Sequence, residues 1–404
     1  MVAVGDELLL GDVVNSNAAV LGQRLAEVGA PVVHSSAVGD DVELIVRALR
    51  RAMEDADVVV TCGGLGPTVD DVTRAALASV AGVPVDRVPE LEELLRQKFA
   101  AYTSSLPEAV LRQADVPRGA TVIDNPAGSA PGLWLETGGR VLLALPGPPH
   151  EMAATLSPIV LRALAKRSGS VLVTRTLRCA GTGESQVAEL VDAALALPPE
   201  VRLAYLAGGG VVQVRLTASG ATVGAADAVL RPHLQVVQDV LGDRVFGRDD
   251  DTLAGVVLRR LVEAGQTVAV AESLTGGLLG AALTEPPGSS AAFRGGVQVY
   301  ATDLKASLAG VPDDVLATHG AVSEQAARAM ASGVRERLGA SWGVALTGVA
   351  GPDEQEGHPP GTLHVAVAGP DAVVTRSTRL PGDRGRVRAL AVTAALELLR
   401  RQLR

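Results

Sequence analysis

Two apolar runs, "DVVVTCGG" at 57–64 and "WGVALTG" at 342–348, stop abruptly in glycine-rich loops. Each reads as a strand buried on both faces, the kind found where helices cover both sides of a parallel sheet. The neighbouring sequence supplies the helices. "NSNAAVLGQRLAEVGA" and "DVELIVRALRRAMEDA" are amphipathic, and they alternate with strand-like "MVAVGD", "PVVHSSAVG" and "RVLLALPGPP". Such alternation constrains the chain to an α/β fold with a mainly parallel sheet. In that architecture the loops after the strand ends carry the chemistry.

The alternation breaks once and resumes. Residues 1–168 form a first α/β domain. Residues 169–248 read as a small α+β module, with strands at "VLVTRTLRCAG", "VRLAYLA" and "VVQVRLTASG" and helices at "ESQVAELVDAAL" and "ATVGAADAVLRPHLQVVQDVLG". The acidic "GRDDD" marks the next boundary, and 249–404 return to α/β alternation. There the pattern predicts helices over 252–264, 275–284, 302–309, 323–338 and 382–403. It predicts strands over 267–271, 296–300, 342–347 and 361–368.

Composition narrows the function classes. Aromatic residues make up only 2% of the 404 residues, so the cores are built from Ala, Val and Leu and base-stacking platforms are not expected. A net charge of −9 argues against direct nucleic-acid binding. Cys62 and Cys179 are the only cysteines. They give neither a disulfide framework nor a CxxC metal site, which fits a reducing cytoplasm. No apolar run is long enough for a membrane span, and no signal peptide is evident.

The loop "TCGGLGPTVDD" (61–71) brings Gly63, Gly64, Gly66, Thr68, Asp70 and Asp71 together. Exposed amides there favour phosphate, and the aspartates suit a divalent cation beside it. The loop is neither a dinucleotide fingerprint nor a P-loop. A tight turn with Asp70 or Asp71 capping the next helix explains it equally well. Asp6 and Glu7 add carboxylates near the first strand end. Asn15 or Ser16 suits a helix cap, and "NPAGSAPG" and "LPGPPHEM" frame a rigid cleft.

"VAVAESLTGG" (268–277) places Glu272 and Ser273 at the mouth of a buried strand. No GxSxG elbow or Ser-x-x-Lys motif is present. Lys305, in "VQVYATDLKASL", is one of only three lysines among 36 basic residues. Arginine cannot accept a proton because its pKa stays above about 12, whereas a lysine whose pKa is depressed can. Thr302 reads as an N-cap, which places Lys305 in a first helical turn. Helix dipole and burial would then both lower its pKa. Ser273 and Lys305 form a workable nucleophile–base pair, with the amides around Thr275, Gly276 and Gly277 as an oxyanion or phosphate cradle. The alternative is a capping serine and a solvated lysine.

Taken together, these motifs resemble the competence/damage-inducible protein A (CinA) family over nearly the whole chain. "GDELLLGDVVNSN", "TCGGLGPTVDD", "NPAGSAPG" and "LPGPPHEM" resemble its N-terminal domain, a three-layer domain similar to molybdopterin-binding domains. "AESLTGG", "GGVQVYATDLK", "HGAVSEQAARAM" and "ALTGVAGP" resemble its C-terminal α/β nicotinamide-nucleotide amidase domain. The resemblance implies hydrolysis of the carboxamide of nicotinamide mononucleotide, with Ser273 as nucleophile and Tyr300 and Lys305 in the catalytic surroundings. Thr275, Gly276, Gly277, Thr347 and Gly348 would line that site, and no cofactor is expected there. For the N-terminal domain it implies metal-dependent cleavage of ADP-ribose. Gly63, Gly64 and Thr68 would bind the ligand, and Asp71 and Asp70 would hold a divalent ion. The assembly implied is a cytoplasmic homodimer with no membrane partner. Two other readings follow from the same family: an amidase with a non-catalytic nucleotide-binding N-terminal domain, and a non-enzymatic competence or recombination adaptor. The chain departs from the family at Leu274, where a Cys is usual, and at "ATDLK", where "SNEAK" is common.

Overall fold

The computed structural model describes residues 1–100 and 106–403, which divide into two compact units. The first comprises residues 1–173 and 219–227. Its six-stranded sheet runs in the order Ser36–Val38, Val2–Val4, Val58–Cys62, Arg140–Leu145, Gly132–Thr137, Thr121–Ile123. The first four strands are parallel and the last two antiparallel. Successive side chains of a strand point to opposite faces, so the buried runs feed two cores. Val59, Leu142 and Ala144 pack with Ile45 and Leu49 of helix Val42–Asp55. Val60, Leu143 and Leu145 pack with Leu21, Leu25, Met152 and Leu164 from three helices on the other face. Each fully buried Leu contributes roughly 1.5–3 kcal/mol. These layers are the α/β architecture expected from the sequence.

The chain leaves strand Val2–Val4 toward helix Ser16–Glu27 on one face, and leaves Val58–Cys62 toward helix Thr73–Ala81 on the other. Such a reversal opens a crevice at the carboxyl ends of the two strands. Gly63 allows the close approach there. Its φ is +108°, and a Cβ would lie 2.1 Å from the Val4 carbonyl oxygen. The strand expected across "PVVHSSAVG" is only Ser36–Val38.

The second unit comprises residues 174–218 and 228–404. Its four-stranded sheet has the order Val201–Gly208, Val211–Gly220, Val171–Ala180, Val245–Arg248. Ala180 and Phe246 of this sheet join the core of the helices Leu253–Glu263 and Arg384–Gln402. The five-stranded sheet runs Phe293–Gln298, Val268–Glu272, Trp342–Gly348, Thr362–Ala368, Val373–Arg379, the first three parallel. Val268 and Val270 face the first of these helices, while Ala269 and Ala271 face helix Glu324–Arg337. The alanine-rich face explains how a chain so poor in aromatics fills its core. Gly333 lets that helix close in further, because a Cβ there would sit 1.8 Å from the Ala309 carbonyl oxygen.

Several elements differ from the sequence reading. The helix expected from 275 starts at Leu278, because Gly276 and Gly277 adopt positive φ and extend the turn. The strand expected at 296–300 spans Phe293–Gln298; Gly295 and Gly296 lie inside it and obscured its start. Helix Asp313–His319 and the edge strand Val373–Arg379, none of whose residues is fully buried, carry little apolar periodicity and were not foreseen.

Candidate active site and nucleotide-binding cavity

Ser273 and Lys305 arrive from neighbouring strand ends. After Val268–Glu272 the chain turns to helix Leu278–Thr284 on one face of the sheet. After Phe293–Gln298 it turns to helix Thr302–Ser307, and Leu304 packs on the other. The pair thus occupies the crevice where the strand order reverses. Lys305 Nζ donates to Ser273 Oγ at 3.1 Å and to the Val299 carbonyl at 2.9 Å. Lys305 is 2% exposed and Ser273 7%. Among the described residues no carboxylate forms an ion pair with Lys305. Burial lowers the lysine's pKa, and the Glu356 carboxylate partly opposes the shift. The helix dipole expected from the sequence is a minor matter. Ala301, not Thr302, is the N-cap residue, and Lys305 lies in the last turn of a six-residue helix.

Glu272 answers for its own burial. Its carboxylate accepts the N–H groups of Gly277 (3.1 Å), Leu279 (2.9 Å) and Gly280 (2.7 Å), at the start of helix Leu278–Thr284. These are donors that a helix end leaves unsatisfied, and a carboxylate also complements the local dipole. Glu272 therefore positions the turn and is not placed as a base. Glu272→Gln turns an amide N–H₂ toward backbone donors. Stability is expected to fall by about 1–3 kcal/mol, read as a lower Tm. An unchanged Tm would show that the carboxylate does not hold this helix.

The turn is clamped from its other side. Arg388 Nε donates to the Leu274 carbonyl at 3.1 Å and Nη2 to the Thr275 carbonyl at 2.7 Å. The Gly276 amide donates to Ser273 and the Gly277 amide to Glu272, so neither is free for a ligand. Among the described residues no acceptor takes the amides of Leu274 and Thr275, which makes these two the oxyanion donors that the turn offers. The Thr275 hydroxyl is buried and unpartnered. Sequence reading missed Arg388. It is one of many arginines in its helix, and nothing local distinguishes it.

Other expected residues take different positions. Tyr300 lies two residues past its strand and is 62% exposed, and its hydroxyl accepts from Arg384 Nη2 at 3.1 Å rather than joining the Ser273–Lys305 bond. The Thr347 hydroxyl donates inward to the Ala321 carbonyl at 2.7 Å. At Gly348 a Cβ would lie 2.2 Å from the Thr362 carbonyl oxygen. Thr347 and Gly348 thus build the strand end beside the site.

In the first unit, the crevice holds a cavity of about 520 Å³ lined by Gly63, Gly64, Gly66, Asp70 and Asp71 among others. Asp71 knots the loop. Its carboxylate accepts the Gly66 amide at 2.7 Å, the Thr68 amide at 2.8 Å and the Thr68 hydroxyl at 2.5 Å. It caps no helix; the residue before helix Thr73–Ala81 is Val72. Among the described residues the amides of Gly64 and Leu65 have no acceptor. Beneath them Arg74, 5% exposed, draws back the Leu65 and Gly66 carbonyls. Burial lowers its pKa to about 10, so it stays charged at neutral pH. At the mouth, Asp6 and Asp40 exchange backbone-to-carboxylate bonds. The Asp40 carboxyl is pushed up by burial and by the charges of Asp6, Glu7 and Asp70. No three His, Cys, Asp or Glu side chains among the described residues gather as a metal-holding group. The arrangement fits a cation shared between one or two carboxylates and ligand phosphates, as Mg²⁺ commonly is.

Comparison with known proteins places the chain in a family. The chain is 50% identical over 413 residues to a CinA-like protein of Frankia casuarinae, covering 100% of this chain and 95% of the relative. The chain belongs to the CinA family. A CinA-like protein of Gloeobacter violaceus is 42% identical, covering 100% of this chain and 96% of its own. The family model described as CinA C-terminal domain matches residues 250–403, the "Probable molybdopterin binding domain" matches 1–166, and the damage-inducible protein CinA KH domain matches 174–247. A crystal structure of CinA from Thermoplasma acidophilum is 36% identical over 41% of this chain and 95% of its own, with a TM-score of 0.38. No helix among the described residues is long and apolar enough to cross a membrane.

Proposed function

We propose that this CinA-family protein hydrolyses the carboxamide of nicotinamide mononucleotide to the acid and ammonia in its second unit, and binds and cleaves ADP-ribose in its first. The buried Lys305–Ser273 bond of 3.1 Å carries the amidase reading. Ser273 Oγ attacks the carboxamide carbon while neutral Lys305 takes the hydroxyl proton. The oxyanion faces the Leu274 and Thr275 amides. Lys305 returns the proton to the departing nitrogen, and ammonia leaves an acyl-serine. Water then attacks the ester carbonyl and yields the carboxylic acid. Lys305 accepts the water proton and restores the serine hydroxyl. Tyr300, exposed and bonded to Arg384, takes no part in the proton transfer.

In the first unit, the Gly64 and Leu65 amides and the Arg74 charge suit a pyrophosphate. Asp70, with one of the cavity-lining carboxylates Glu7 and Asp40, would share a divalent cation with the ligand phosphates, and the cation would neutralise phosphate charge. The loop-bound state of Asp71 favours one second reading, in which this unit binds nucleotide without cleaving it. Incubating the purified protein with nicotinamide mononucleotide and with ADP-ribose, with and without divalent metal, and identifying the products separates these. Release of neither ammonia nor a cleaved nucleotide would sink both activities.

Asp71→Asn replaces one acceptor oxygen of the loop knot by a donor. It is expected to weaken ADP-ribose binding by about tenfold or more, the worth of roughly one charge-assisted hydrogen bond, and to leave deamidation within twofold. Equal loss of both activities would contradict independent sites.

A further inference from the structure

We propose that Glu151 is the general base of the first unit's cavity and takes the proton of the water that attacks the bound pyrophosphate. This rests on the reading of that cavity as a site that cleaves ADP-ribose. Glu151 lines the cavity from the first turn of helix Pro149–Thr155, whose Met152 is fixed in the core. The helix follows strand Arg140–Leu145, the parallel neighbour of Val58–Cys62. The two strands end side by side, and the Gly63 amide donates to the Leu145 carbonyl at 3.1 Å. The loop between strand and helix lies against the glycine loop, since a Cβ at Gly147 would stand 3.5 Å from Gly63 Cα. Glu151 thus enters from the wall next to the amides that suit phosphate.

Its carboxylate is aimed by a second layer of bonds. Asn125 Nδ2 donates to Glu151 Oε2 at 2.6 Å and to the Ala130 carbonyl at 2.8 Å, while Asn125 Oδ1 accepts the Ala127 amide at 3.1 Å. Contacts at both ends of the amide fix which way it points. Gly128 lets the loop close on the carboxylate, because a Cβ there would lie 2.1 Å from Oε2. Lys98, one of the three lysines, ties that loop down. Its Nζ donates to the Asn125 carbonyl at 2.8 Å and the Gly128 carbonyl at 3.0 Å. Glu151 is partly exposed, and among the described residues nothing donates to its Oε1. One carboxylate oxygen is therefore left for a water. The other carboxylates are engaged elsewhere. Asp71 accepts from its own loop, and the charges that push Asp40 up are those of Asp6, Glu7 and Asp70, with Glu151 not among them. Glu151 stands apart from that group and stays free to accept a proton. The water oxygen bonds to a phosphorus and its proton passes to Glu151, which later loses it to solvent. The bridging P–O bond breaks, and its electron pair leaves on the departing phosphate. For ADP-ribose the products are AMP and ribose 5-phosphate.

Glu151→Gln in the full chain tests the proposal, because it keeps the shape and the Asn125 bond but takes no proton. Cleavage of ADP-ribose at saturating Mg²⁺ is expected to fall by about 10²–10⁴-fold, the usual effect of losing a general base. Calorimetry without metal, using a methylene-bridged ADP-ribose that cannot be cleaved, should give a Kd within about threefold of the parent, since the lost contact is made to the attacking water. Raising Mg²⁺ further should restore nothing. Recovery at high Mg²⁺ would make Glu151 a cation ligand and overturns the proposal. A variant that cleaves within about tenfold of the parent overturns it too, as does a Kd weakened as far as kcat. If the parent cleaves no ADP-ribose with any metal, the cleavage reading falls and Glu151's role with it. Should the Gln variant fail to fold, Glu151→Asp decides. It draws the charge back by one methylene and should lose about tenfold or more in kcat with Kd kept; an Asp variant at the parental kcat overturns the proposal.

Discussion

Lys305→Arg is expected to lower kcat for amide hydrolysis by about 10²–10⁴, the usual effect of losing a general base, while substrate binding changes little. The two side chains are similar in reach and both cationic in water. They differ in whether the head group gives up its proton. Lys305 is buried, has no ion-pair partner among the described residues, and its pKa is lowered by that burial. A guanidinium in the same place stays protonated and cannot take the Ser273 proton. A lysine serving only as a positive charge would tolerate the change, so a variant within a few-fold of the parent would refute the base. The pH profile carries the same logic. The working form is the neutral amine, and protonation removes it, so kcat should fall as pH drops below the depressed pKa. Glu356 holds that pKa up, so Glu356→Gln should move the acidic limb to lower pH. A limb that does not move would remove Glu356 from the tuning of the lysine.

The Ser273–Lys305 pair was legible because lysine is so rare here: a residue type the chain otherwise avoids stands beside a strand mouth. The stated cause was half right. Burial depresses the lysine, but the helix is too short and the position too late for its dipole. Tyr300 was misplaced for a local reason, since the glycines at 295 and 296 hid where the strand begins and so where it ends. Asp71 shows a different limit. Spacing identified a loop with a carboxylate, and spacing does not say whether the carboxylate points out to a cation or in to its own loop's amides. Arg388 was invisible for a third reason. It acts on a turn more than a hundred residues away, and an arginine in an arginine-rich helix carries no local signal.

The chemistry assigned to Ser273 has the largest consequence for the reaction. Ser273→Ala removes the only atom in the turn placed both to attack and to hand a proton to Lys305. If the reaction passes through an acyl-serine, kcat should fall at least as far as in the lysine variant, by about 10³-fold or more. Binding of nicotinamide mononucleotide should persist, because Arg388 and Glu272 hold the turn through the backbone. The route itself is checked by trapping. Hydroxylamine added to the working parent enzyme competes with water for the acyl group and should yield the hydroxamic acid of the substrate; the alanine variant should yield none. The alternative is direct attack by a water that Lys305 deprotonates. That route leaves no acyl-enzyme, and removing one hydrogen-bond partner of the lysine would cost only a few-fold. An alanine variant within tenfold of the parent, or a parent that forms no hydroxamate, would transfer the nucleophile's role from Ser273 to water and leave Lys305 as its base.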